Sequence, residues 1–159
     1  MADAKRYELF DHTADIGIEA YGRDLKEAFA NMAYGMFSVI AELDKVGETE
    51  SRDIALEAED REALLVAWLN ELLYLFDVEH IIFKRFEISL LEGKSFGELR
   101  ASPSASSGQG PGARLRARAY GETFDPKRHV LNTGIKAATY HTLKVEQENG
   151  ARLRVIFDV

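Results

Sequence analysis

Two segments of the chain carry apolar residues at helical spacing. The first predicted helix spans about residues 25–41, with Asp24 as its N-cap and Glu27 three residues later, as in a capping box. The second spans about residues 61–77 after the N-cap Asp60, and it is apolar over more than half of its circumference. A helix that apolar normally lies in the centre of a domain, so its aromatic residues are expected in the core.

Other segments alternate apolar and polar residues or form short apolar runs, as strands do. The predicted strands are residues 7–11, 16–21, 52–58, 81–91, 113–120, 135–140, 143–147 and 152–158. The apolar face of the fourth slips near Lys84 and Arg85, which predicts a β-bulge. The pair Asn149 and Gly150 predicts a hairpin turn before the last strand. This pattern predicts an α+β domain with two amphipathic helices and a mostly antiparallel sheet.

Residues 102–112 are low in complexity, because nine of the eleven are Ser, Gly or Pro. We interpret this stretch as a flexible insert within a single domain of residues 1–159, since neither flanking segment has enough apolar residues for a core of its own.

Composition excludes several function classes. The chain has no cysteine, which rules out disulfides, thiolate zinc sites and thiol catalysis. No apolar signal core follows the first residues, so we expect a soluble, cytoplasmic protein. The net charge of −7 makes direct binding to RNA phosphates unfavourable, and any RNA contact is expected through a partner protein.

A row of arginines is the exception to this acidic character. Arg114, Arg116 and Arg118 alternate with small and apolar residues in a predicted strand. The row is either a docking face for an acidic partner or RNA, or a solvated strand face, and the solvated face is the commoner case.

The candidate chemistry lies at the two ends of the chain. His12, Thr13 and Asp15 form a polar cluster between the first two predicted strands, which is either a functional site or an ordinary β-turn with a solvated aspartate. The closing strand ends at Asp158, and Val159 adds its α-carboxylate. In an antiparallel sheet the closing strand can lie beside one of the first two strands, which would bring these carboxylates together.

Such a set of oxygen ligands suits Ca²⁺, Mg²⁺ or Mn²⁺ better than Zn²⁺. The sequence contains no phosphate-binding loop, dinucleotide fingerprint, nucleophile elbow or zinc-protease helix motif. A metal-dependent hydrolase using Asp15, Asp158 and His141 is a separate interpretation. His12 and His141 could orient ligands or bind zinc, although structural hydrogen bonding is commoner for histidines.

Four stretches resemble the archease family, in the family's order and across nearly the whole chain. They are YELFDHTADIG at 7–17, AWLNELLYLFD at 67–77, KAATYH at 136–141 and VIFDV at 155–159. The insert at 102–112 departs from the family pattern. The resemblance implies a small cytosolic α+β protein without catalysis of its own. Asp15 and Asp158 match the metal-site aspartates, Val159 would supply its terminal carboxylate, and the implied cation is calcium.

The resemblance also implies a partner. Archeases activate the RNA-splicing ligase that joins tRNA exon halves through a 2′,3′-cyclic phosphate or 3′-phosphate end. That ligase uses GTP and Mn²⁺ to guanylylate its own histidine, and an archease promotes this step and multiple turnover. A second function attached to the family is that of a chaperone-like modulator of a tRNA methyltransferase.

Overall fold

The structure is a computed structural model that describes residues 5–12, 14–94 and 112–159. The predicted insert at 102–112 lies outside the described residues except for Gly112. The elements in chain order are β1 (Tyr7–His12), β2 (Asp15–Gly22), α1 (Leu25–Ile40), a 3₁₀ turn (Leu43–Lys45), β3 (Glu50–Ala58), α2 (Arg61–Glu79), β4 (Ile81–Gly93), β5 (Ala113–Thr123), β6 (Ala137–Glu146) and β7 (Ala151–Asp158).

The strands form two sheets. One has four strands in the order β1-β2-β7-β6, and the other has three in the order β3-β5-β4. Every pairing between these strands is antiparallel, which confirms the predicted α+β class. The division into two sheets was not predicted, because the periodicity of a strand does not identify its partners.

Both helices begin where their caps predict. The Asp24 carboxylate accepts a hydrogen bond from the Glu27 N–H at 2.9 Å, and Asp60 accepts one from the Ala63 N–H at 2.8 Å. The Glu27 carboxylate accepts from the N–H of Arg23 at 2.8 Å, one residue earlier than in the standard capping box.

One core joins the two helices to both sheets. Helix α1 contacts β2 and β7 of the first sheet and β4 of the second, and α2 contacts β3, β4, β5 and β6. The largest fully buried side chains include Trp68, Phe29, Phe37 and Phe83. The Trp68 indole N–H donates to the Phe29 carbonyl at 3.1 Å, so this tryptophan is a core residue with its polar atom satisfied.

Two strands carry irregularities. The register of β4 shifts between Phe83 and Arg85, which confirms the predicted bulge, and again between Ile88 and Leu90. The two strands predicted at 135–140 and 143–147 are wrong, because one strand, β6, runs through both. Its register is interrupted between Thr139 and Lys144, where Thr142 has a φ of 49°, and the predicted gap between the two strands falls at this irregularity. The predicted hairpin turn is present, with positive φ at Asn149 and Gly150.

The arginine row lies on the exposed face of the three-stranded sheet. Arg114 pairs with Glu92 on β4, and the Arg118 Nε lies 2.7 Å from an Asp53 carboxylate oxygen on β3. These cross-strand pairs are typical of a solvated sheet face.

The loop after β5 is held by a cluster of four residues that we call the Glu122 cluster: Glu122, Gly47, Arg128 and His129. The Glu122 carboxylate accepts from the Gly47 N–H at 3.0 Å and from Arg128 Nη2 at 2.7 Å, and it lies 2.8 Å from His129 Nε2. These contacts, led by the Arg128 hydrogen bond, lower the pKa of Glu122 from 4.5 to about 2.

The loop then returns to α1, where the Asn132 N–H donates to the Ile40 carbonyl at 2.7 Å. The Glu122 cluster therefore fixes the chain between the second sheet and the end of α1. Across the described residues, no helix combines the length and apolar character needed to cross a membrane.

Candidate metal site where β2 meets β7

The pairing of β2 with β7 brings two of the predicted ligands together. Asp15 is the first residue of β2 and Asp158 is the last residue of β7. The antiparallel register pairs Ile16 with Phe157, and continuing it by one residue places Asp15 opposite Asp158. Residues opposite each other across antiparallel strands have their Cβ atoms about 5 Å apart.

Alternation along both strands puts the two aspartates on the same face. Ile16, Ile18 and their partners Phe157 and Val155 belong to the hydrophobic core or pack against it. Asp15 and Asp158 alternate with these residues, so they lie on the opposite face of the sheet. Asp158 is exposed and Asp15 is half-buried. A solvated ion can therefore reach this face.

The chain beyond Asp158 is held in place on its β6 side. The Asp158 carbonyl accepts from the Lys136 N–H at 2.8 Å, and Ala137 pairs with Asp158 in register. Val159 is half-buried and packs against the core. Its α-carboxylate therefore directly follows a strand residue whose backbone is fixed.

Asp15 also borders a cavity of about 320 Å³, lined in part by Leu9, Phe10, Val39 and Thr133. The cavity lies between β1, β2, the end of α1 and the loop that follows the Glu122 cluster. Leu9 at its edge is 53% exposed. The candidate site therefore opens onto a partly apolar surface rather than onto a closed pocket.

A tight contact between β1 and β2 supports the site from one side. Phe10 pairs with Gly17, and its ring occupies the space that a Cβ at Gly17 would need. The Arg154 guanidinium lies 3.9 Å from the centroid of the same ring, and its Nη1 donates to Glu19 at 3.0 Å. The start of β2 is therefore packed on the face that carries Asp15.

Two residues from the family-like motifs hold β6 beside this face, although sequence reasoning gave them no role. The Asn70 side-chain oxygen on α2 accepts from the Ala138 N–H at 2.8 Å. The Thr139 hydroxyl donates to the Ile156 carbonyl at 2.8 Å. The only sequence signal for either residue was its place within a motif.

The two histidines differ in position. His12 pairs with Asp15 through the β1–β2 register, whereas His141 is exposed in the irregular part of β6. Among the described residues, no three His, Asp or Glu side chains converge as a metal-binding group. Asp15, Asp158 and His141 thus do not form the three-side-chain centre that the hydrolase interpretation requires. The set of Asp15, Asp158 and the Val159 carboxylate stays a prediction.

The donor chemistry of this set fits a hard divalent cation. Two carboxylates on adjacent strands repel each other unless a cation or a proton neutralises them, and a third carboxylate would strengthen binding. Ca²⁺ accepts such oxygen ligands in flexible geometry and completes its coordination with water.

Comparison with known sequences identifies relatives over the full length. Residues 7–159 match the Archease protein family (MTH1598/TM1083). The chain is 39% identical over 159 residues to the protein archease of Methanosarcina acetivorans, an alignment that covers 99% of each chain. It is also 39% identical over 143 residues to the protein archease of Pyrococcus abyssi, covering 90% of this chain and 89% of that relative.

Solved structures have the same fold. The solution structure of Methanobacterium thermoautotrophicum protein 1598 has a TM-score of 0.77 and 34% identity, covering 98% of this chain and 100% of that one. A Thermotoga maritima crystal structure, described as an archease and possible chaperone, has a TM-score of 0.56 at 19% identity and covers 94% of each chain. The family match and the full-length relatives show that this chain belongs to the archease family.

Proposed function

We propose that this chain is a non-catalytic protein cofactor of the RNA-splicing (tRNA) ligase. It promotes the GTP-dependent guanylylation of the ligase histidine and its turnover, and it does so with a bound divalent cation, calcium. The observation that supports the proposal is the β2–β7 register. It pairs Ile16 with Phe157, and continuing it by one residue sets Asp15 opposite Asp158 on the face away from the core.

The electrostatics support action through a partner. The chain carries a net charge of −7, which disfavours direct binding to the phosphates of RNA. Arg114 and Arg118 of the arginine row are already paired with carboxylates on neighbouring strands, so their charge is largely neutralised. RNA is therefore expected to be held by the ligase, while this chain contacts the ligase.

The roles of the chain's own residues follow from their positions. Asp15, Asp158 and the Val159 carboxylate would hold the cation, which would neutralise them and present positive charge to the partner. Thr139 and Asn70 keep β6 against β7 and α2, and Phe10 packs the start of β2. These contacts orient the carboxylates before the partner arrives, which lowers the entropic cost of binding.

The test is a guanylylation assay of a purified ligase with labelled GTP, with and without this protein. We expect wild type to accelerate formation of the ligase–GMP adduct and Asp15→Asn to lose the effect, since the variant keeps the shape of the side chain but not its charge. Asp53→Asn is a matched control, because Asp53 is an exposed aspartate on the other sheet. Stimulation by Asp15→Asn equal to wild type would refute the site.

A second candidate is a chaperone-like modulator of a tRNA methyltransferase. The description of the Thermotoga maritima structure as a possible chaperone favours it. This function predicts that the protein suppresses aggregation of the methyltransferase or alters its site selection, and that it leaves ligase guanylylation unchanged. Light scattering and methylation mapping with the purified methyltransferase separate the two candidates.

A further inference from the structure

A second concentration of charge lies at the other end of β2 from Asp15. A cavity of about 540 Å³ opens there beside the start of α1, and its lining includes Lys5, Arg6, Arg23, Glu27 and Asn149. We call it the Arg6 cavity. It borders Gly22, seven residues along β2 from Asp15, or about 23 Å at the rise of a strand. It is therefore a separate site.

Arg6 is held in one orientation by neutral partners. Its Nε donates to the side-chain oxygen of Asn31 at 3.0 Å, and its guanidinium carbon lies 3.7 Å from the centroid of the Tyr34 ring. Asn31 is only 8% exposed, and its amide nitrogen donates to the Tyr21 carbonyl at 2.7 Å. A buried amide with both functions satisfied thus fixes the arginine.

Arg6 differs from its neighbours in its ionic contacts within the described part of the chain. Among the residues the structure describes, no Asp or Glu forms an ion pair with Arg6, whereas Lys5 pairs with Glu8 at 3.3 Å and Arg23 with Glu27 at 2.9 Å. A guanidinium has five N–H donors, and the contact with Asn31 uses one of them. The Asn31 bond uses Nε, and Glu27 interacts with Arg6 only through charge, so the Nη groups carry the donors that a phosphate would bond.

The balance of charge around the cavity favours an anion. Three cationic side chains and the carboxylate of Glu27 line it, in a chain whose net charge is −7. Because Glu8 pairs with Lys5 and Glu27 with Arg23, the excess positive charge is that of Arg6. The Glu27 carboxylate is already engaged, because it accepts from the backbone and the side chain of Arg23. The first turn of α1 contributes little, since Asp24 caps it. Positive potential is therefore concentrated where the rest of the protein would repel an anion.

We propose that the Arg6 cavity binds a phosphate group, with Arg6 as its bidentate ligand and with Lys5 and Arg23 among the side chains that line it. A fixed guanidinium matches the geometry of phosphate oxygens. Lys5 and Arg23 are each paired with a carboxylate, so Arg6 supplies most of the net positive charge of the site. Such a phosphate could be carried by a free nucleotide or by an RNA strand that the ligase also holds, and the experiment distinguishes these sources.

The experiment is a titration of the full chain with inorganic phosphate, a nucleoside triphosphate and a short single-stranded RNA, followed by ¹⁵N NMR of the arginine Nε signals and by calorimetry. We expect the Arg6 signal to shift and Arg6→Ala to raise the Kd about tenfold or more, because it removes a charge-assisted hydrogen-bonding partner. Arg6→Lys keeps the positive charge but not the bidentate guanidinium, so it is expected to weaken binding less than Arg6→Ala does.

Arg118→Ala is the matched control, since it removes one exposed arginine from the other sheet. Tighter binding of the triphosphate than of RNA would assign the site to free nucleotides, and the reverse would assign it to RNA. Absence of Arg6-dependent binding with all three probes would overturn the proposal. Equal weakening by Arg118→Ala and Arg6→Ala would also overturn it, because binding would then reflect overall charge. Neither the NMR titration nor the calorimetry involves the ligase, so a failure of this proposal is distinguishable from a failure of the proposed function.

Discussion

Replacing Glu122 by Gln is expected to destabilise the protein by about 2 kcal/mol. A pKa of about 2 for Glu122 instead of 4.5 corresponds to about 3 kcal/mol, because each pH unit between two pKa values is worth about 1.4 kcal/mol. Arg128 is 54% exposed, so solvent screens its share, and we discount the figure accordingly. The remainder comes from Gly47 and from His129, whose side chain is fully buried.

The hydrogen-bonding groups of glutamine explain why Glu122→Gln is expected to lower the stability of the protein. His129 Nδ1 accepts from the Asp125 N–H at 2.8 Å, so its proton lies on Nε2 and is donated to Glu122. A glutamine offers one oxygen to three donors and directs its own N–H groups at one of them. Gly47 and His129 share Oε1, whereas Arg128 bonds Oε2, so a glutamine keeps the first two bonds without their charge and turns its N–H₂ group towards Arg128. The charge-assisted bond to Arg128 is lost and the other two weaken, which costs free energy.

Urea denaturation at several pH values measures the effect. The carboxylate is charged in the native state down to about pH 2 and in the unfolded state only down to about pH 4.5. Its contribution to stability is therefore complete above pH 4.5 and disappears as the pH falls to about 2. The difference in the free energy of unfolding between wild type and Glu122→Gln should be constant from pH 8 to 5.5 and should shrink below pH 4.5. Glu92→Gln, which removes an exposed partner of Arg114, should cost less than about 1 kcal/mol. Equal losses in the two variants, or a difference that grows on acidification, would refute the reasoning.

Three further predictions follow from the site and the insert. A carboxy-terminal extension converts the Val159 carboxylate into an amide and should lower calcium affinity and ligase stimulation, whereas an amino-terminal tag should not; equal calorimetric affinities would remove that carboxylate from the site. Gly17→Ala forces a Cβ into the Phe10 ring and should cost about 1–3 kcal/mol in urea denaturation, while Gly134→Ala, with open space around it, should be nearly neutral. Replacing residues 102–112 with a short Gly-Ser link should leave the melting temperature unchanged, and a drop of many degrees would show that the segment packs.

Local signals in the sequence predicted the local features well. Asp24 and Asp60 cap the helices, and the phase slip near Lys84 marks a real bulge. The end of α2 was placed two residues early, because no glycine marks it and His80 instead adopts the left-handed conformation, with a φ of 60°.

The hydrophobic pattern of the sequence does not predict features that depend on contacts between residues distant in the chain. The closing strand was expected beside β1 or β2, and only the register shows that it pairs with β2. The Glu122 cluster joins residues from three loop or strand segments without any common period, so nothing in the sequence indicates it. The proposed metal site was suggested by the motif resemblance, and continuing the Ile16–Phe157 register by one residue places Asp15 opposite Asp158.

The position of β7 has a consequence for the order of folding. This strand lies between β2 and β6, so the four-stranded sheet cannot be completed until the last strand of the chain joins the first two. Closing that contact links residues near both ends, whereas β3, α2, β4 and β5 come from the middle of the chain. Long loop closures are slow because their entropic cost precedes any gain in contacts. The face that carries Asp15 and Asp158 is therefore expected to be the last part to form and, by the same topology, to depend on the chain being whole.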